Sequence, residues 1–106
     1  MRYYFTYILE SCREDYPKGH VICYKQHNSL YSLKGMRFDM SITDLSKENP
    51  KPEVVAKVIG LGYADFKDEE DYTRRFPTVI KRKIKEVGID EICNYSTEHR
   101  FSMPNV

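Results

Sequence analysis

The residues best placed to do chemistry are bases. Arg74, Arg75, Lys81, Arg82, Lys83 and Lys85 crowd one short stretch, and no acid occurs between Tyr72 and Lys85. At helical spacing Arg74, Lys81 and Lys85 fall within roughly 40° of one another, with Arg75 and Arg82 on their flanks. A row of one sign suits a phosphate-bearing ligand (nucleotide or nucleic acid) or an acidic protein surface. A solvated helix face balanced by nearby acids is the plainer alternative. Lys83 differs, because it projects from the apolar side of the same wheel. Its stem is expected to pack while its ammonium reaches out; fully buried, it would need a carboxylate partner and would be perturbed.

Catalytic and metal constellations have less support. His20, His27 and His99 show no HxxxH or HExxH spacing, and Cys12, Cys23 and Cys93 contain no CxxC pair. On one strand His20 and Cys23 would point to opposite faces, since their separation is odd. Gly60-Leu61-Gly62 alone is no phosphate loop. The expectation is a non-enzymatic binding module, with no catalytic residue, metal ligand or cofactor assigned. Tyr63 and Tyr4 are the candidates for stacking or contact beside the basic row. Gly62-Tyr63-Ala64-Asp65-Phe66 resembles a fragment of the aromatic strand of RNA recognition motifs. That resemblance spans five residues and lacks the basic residue in front, and the chain does not read as the βαββαβ order of that fold.

Asp65 to Ile89 reads as the organising helix: five acids open it, six bases follow, and Gly88 stops it. Tyr72, Phe76, Val79, Ile80, Ile84 and Val87 share one stripe about 140° wide. Pro77 interrupts that run without breaking its phase, which predicts one Pro-kinked helix or two nearly collinear ones. Gly88 is expected to cap the end, with Ile89 folding back onto the core.

The first half reads as β-structure. Residues 3–9 carry Tyr3, Phe5, Tyr7 and Leu9 on one face and Tyr4, Thr6 and Ile8 on the other, a strand covered on both sides. A turn at Pro17–Gly19 then leads into HVICYK. A two-residue loop would set Cys12 against Cys23, and a three-residue loop would set Cys12 against Tyr24; neither is taken as a disulfide. Met36, Phe38, Met40 and Ile42 alternate as a half-buried antiparallel strand. Residues 52–62 fit either a helix or a strand. The β-branched content and the glycines favour a strand closing a hairpin onto 36–44. A short strand near Ile89 to Tyr95 and a loosely ordered tail over 97–106 complete the reading.

Length and charge bound the whole. With 106 residues and a net charge of +1, the chain makes one domain, 1–106, of α+β class. Its architecture is an antiparallel sheet of about four to five strands packed against one long helix. Near-neutrality removes any global pull toward nucleic acid, so charge recognition must be local. No signal-like start or membrane-length apolar run is present, so a cytoplasmic protein with no membrane partner is expected. Homodimerisation is a further expectation to test. The other function class is a protein-interaction or inhibitory accessory protein of a virus or mobile element.

Overall fold

The structure is a computed structural model that describes residues 1–25, 33–89 and the backbone of 99–100. Its strands are β1 (Arg2–Ser11), β2 (Val21–Tyr24), β3 (Arg37–Thr43), β4 (Pro52–Asp65) and β5 (His99–Arg100). The helix, α1, is Glu69–Glu86 and lies between β4 and β5 in the chain. The strands stand in the order β3-β4-β1-β2-β5. The first four pair antiparallel, while the two-residue β5 lies parallel to β2. The class is α+β, one sheet with one helix among the described residues.

β1 is central because both of its faces can be buried. Tyr3, Phe5 and Tyr7 point toward α1, together with Val21, Cys23, Ile59 and Leu61. Tyr4 and Ile8 join Ile22, Tyr24, Met40, Val55 and Val58 in a second cluster on the other face. Residues 52–62 form a strand, as their β-branched content indicates, and it runs on through both glycines. Leu61 is an extra residue in the β1–β4 ladder: Phe5 faces Gly62 and Thr6 faces Gly60. Gly62 takes φ +84° there, and the bulge turns Leu61 toward the helix beside Ile59.

The hairpin after β1 differs from the tight turn expected. Phe5 faces Cys23 and Tyr7 faces Val21, so Cys12 and Cys23 are not neighbours. Cys12 is an exposed thiol and Cys23 a buried one. Residues 12–20 form a longer loop with turns of their own: Tyr16 N–H donates to Arg13 and His20 N–H to Pro17. Burial sets this register, since Cys23 and Val21 must share the face of Phe5 and Tyr7.

The helix is shorter than the stretch Asp65 to Ile89. Asp65 ends β4, and Asp68 is the N-cap, its carboxylate accepting from Asp71 N–H at 2.8 Å. Pro77 lies inside one continuous helix of 18 residues. The lost hydrogen bond is tolerated because Tyr72 and Phe76 before it and Val79, Ile80 and Ile84 after it dock on the same core. At the other end Gly88, at φ +81°, donates to Lys85 at 3.1 Å, and Ile89 N–H donates to Ile84 at 3.2 Å. These two bonds are a Schellman cap, with Ile89 packed back on the core. The short strand expected near Ile89 to Tyr95 lies, beyond Ile89, outside the described residues. Within 97–106, expected to be loosely ordered, His99–Arg100 forms β5, and the other residues lie outside the described set.

Candidate anion-binding face

The helix presents its bases outward because its opposite side is consumed by the core. Arg74, Lys81, Arg82 and Lys85 are exposed and Arg75 is half-buried. The row divides into two parts of different electrostatic character.

The N-terminal part is held by Asp71. Its carboxylate meets Arg74 Nη2 at 2.6 Å and Arg75 Nη1 at 3.1 Å, and it accepts from the Lys67 backbone N–H at 3.0 Å. That backbone bond is the largest of the effects holding the Asp71 carboxyl below the usual carboxylate range, and the two arginines add to it. Arg75 also stands over the Phe66 ring at 5.2 Å. One carboxylate thus fixes two guanidinium groups at the helix start, where a negative charge also suits the dipole.

The C-terminal part is richer in unbalanced charge. Lys81 and Lys85 pair with no carboxylate among the described residues. Arg82 shares Glu86 with Lys34, at 3.8 Å and 2.6 Å respectively. Lys34 lies far from the helix in sequence, and no local pattern could have placed it there. Its bond is the leading reason that Glu86 sits below the usual carboxylate range.

Lys83 belongs to this corner too. It is half-buried, and its ammonium lies 3.9 Å from the point where a β-carbon on Gly62 would stand. Burial pulls its amine below the ordinary lysine value, Lys34 and Arg82 push the same way, and Glu86 opposes them. Lys34, Arg82 and Lys83 therefore share one carboxylate among the described residues, Glu86, while Lys81 and Lys85 stand on the outward side of the helix without one. The helix C-terminus carries about half a negative charge, so dipole matching accounts for only a fraction of this excess.

The tyrosines do not join the row. Tyr63 pairs across β4 and β1 with Tyr4, which packs in the second cluster, on the sheet face away from α1. Tyr4 is only 7% exposed and is part of the core. Tyr63 is 49% exposed, but Arg2 covers its ring at 4.1 Å while binding Asp65 through two bonds of 2.8 and 3.1 Å. The basic row and the tyrosines therefore lie on opposite sides of the sheet.

A cleft of about 620 Å³ opens over β1, β3 and β4, lined by Lys18, Arg37 and Lys57 against Glu10 and Asp39. Its mixed charges leave little net attraction for an anion. Among the described residues no three His, Cys, Asp or Glu side chains gather to hold a metal ion, and no helix is long and apolar enough to cross a membrane. No family model matches the chain, and no curated protein and no solved structure matches it either.

Proposed function

We propose that the chain is a binding module for the phosphate backbone of nucleic acid, working through the C-terminal half of α1. The observation that carries this reading is the pair of exposed lysines, Lys81 and Lys85, that meet no carboxylate among the described residues, beside Lys34, Arg82 and Lys83, which share Glu86. The shape of the surface favours a polyanion over a lone nucleotide. The bases of this half stand out along a convex helix face, whereas small ligands bind in concave, enclosing pockets. With the tyrosines on the far side of the sheet, base stacking has no part in the contact. The binding is therefore electrostatic and tolerant of sequence.

Lys81→Glu with Lys85→Glu tests the reading, because both side chains are exposed and neither holds the fold. Binding to a labelled duplex oligonucleotide should be lost, while the circular dichroism spectrum and melting temperature stay as in the wild type. Unchanged affinity would remove the proposal.

The same face would also suit an acidic protein surface, the partner expected of an inhibitory accessory protein. The convex shape fits both, but the spread of charge along one line matches a regular phosphate chain better than a compact acidic patch.

A further inference from the structure

The outer edge of β3 is the feature that this reading leaves unused. β3 stands at one end of the strand order, and among the described residues no strand pairs with its outer side. Of the main-chain groups at its start, the Met36 carbonyl faces β4, accepting from Gly60 N–H at 2.8 Å, while Met36 N–H donates back to Leu33. Alternation along an antiparallel ladder then turns the main-chain groups of Phe38 and Met40 inward and those of Arg37 and Asp39 outward. Natural edges are commonly blunted with lysine, proline or a covering element. β3, RFDMSIT, contains neither lysine nor proline. Apolar groups gather around it as well. Leu33 and Met36 just before it, Leu45 just after it, and Val54 opposite Ser41 are four of the large apolar side chains exposed in the described structure.

The strand is also complementary to itself. In an antiparallel pair centred on Phe38, Arg37 faces the partner's Asp39 and Asp39 faces the partner's Arg37. These two residues have the outward main-chain groups, so their pairing supplies the hydrogen bonds and the charges match at the same positions. Met36 then faces the partner's Met40, and Phe38 faces the partner's Phe38, on the opposite side of the sheet. Centring the pair on Asp39 would oppose like charges, and centring it on Met40 would set Arg37 against Thr43. Only the Phe38 register satisfies both the hydrogen-bonding alternation and the charges.

We propose that β3 is a homodimerisation edge, joining two copies antiparallel about Phe38 into one continuous sheet. The contact is isologous, and its two-fold axis stands perpendicular to the sheet. Both copies of α1 then lie on the same side. The dimer does not depend on what the helix binds, but it would present two basic faces in one direction.

Sedimentation velocity over a concentration series reads the assembly, and disulfide trapping reads its register. The wild type should be a dimer. Asp39→Arg, which sets arginine against Arg37 at both contacts, should weaken it at least tenfold. Adding Arg37→Asp to that variant should restore it. With Cys12 and Cys93 changed to Ser, Phe38→Cys should give a covalent dimer on mild oxidation, and Ser41→Cys should not. A wild type that stays monomeric throughout overturns the proposal. So does a dimer indifferent to Asp39→Arg whose Phe38→Cys form fails to cross-link, since its interface must then lie elsewhere.

Discussion

The Lys83 ammonium lies beside Gly62, 3.9 Å from where that residue's β-carbon would stand. The two meet because the Leu61 bulge needs Gly62 at φ +84° and leaves no side chain under the helix at that point. Gly62→Ala should cost about 1–2 kcal/mol from backbone strain. Steric clash adds little, because the new methyl would make ordinary contacts with Lys34 and Lys83. Urea unfolding checks this: no loss of stability would contradict the strained bulge.

Lys83→Met should separate stability from binding. It keeps the packed stem and removes a charge that burial disfavours. Stability should rise by about 0.5–1 kcal/mol. Affinity for duplex DNA at low salt should fall several-fold. A variant that loses stability would show that the ammonium is held by favourable contacts instead.

Acid should weaken the contacts of Asp71 and Asp65. Asp71 and Asp65 both titrate below the usual carboxylate range, Asp71 chiefly through the Lys67 N–H and Asp65 chiefly through Arg2. A depressed folded-state pKa means that the unfolded chain binds more protons as the pH falls. Their contribution is therefore complete above about pH 4–5 and is lost as pH drops through the lowered folded values. Asp71→Asn should destabilise the protein at pH 7, and the gap to wild type should narrow toward pH 3. Urea midpoints at pH 7, 5 and 3 measure it, and a constant gap would contradict the assignment.

Tyr72 should be the most costly position on the helix. It is wholly buried, its ring stands 4.3 Å from Tyr3, 5.0 Å from Phe66 and 5.3 Å from Phe76, and its hydroxyl donates to Cys23 Sγ at 3.0 Å. Tyr72→Ala should cost about 3–5 kcal/mol. Tyr72→Phe should cost less than about 1 kcal/mol, because sulfur is a weak acceptor. Similar losses in the two variants, measured by denaturant unfolding, would show that the hydroxyl rather than the ring anchors the helix.

Local physics was legible in the sequence, and long-range pairing was not. The phase shared by Phe76 and Ile80 across Pro77, and the Gly88 cap with Ile89 folded back, follow from helix geometry and are found as expected. The β-branched run from Val54 gives a strand for the same kind of reason. The buried Tyr4 was also within reach, since a strand apolar on both faces has no exposed tyrosine to offer. The hairpin register escaped because turn chemistry near Pro17 is weaker than the demand to bury Cys23 opposite Phe5. Asp65 read as the start of the helix because acids favour that position, yet Arg2, distant in sequence, holds it at the end of β4. The bond from Lys34 to Glu86 joins two elements with no shared pattern. That is why the corner around Lys83, the densest part of the basic face, emerges only from the fold.

The salt dependence of duplex binding reads out phosphate contact by α1. Fluorescence anisotropy of a labelled oligonucleotide from about 50 to about 200 mM salt should show affinity falling roughly 50–150-fold, the response to about three to four neutralised phosphates. In Lys81→Glu with Lys85→Glu, any residual binding should show a slope smaller by about two. Affinity that is insensitive to salt, or the same in the wild type and the double variant, would contradict a phosphate-binding role for α1.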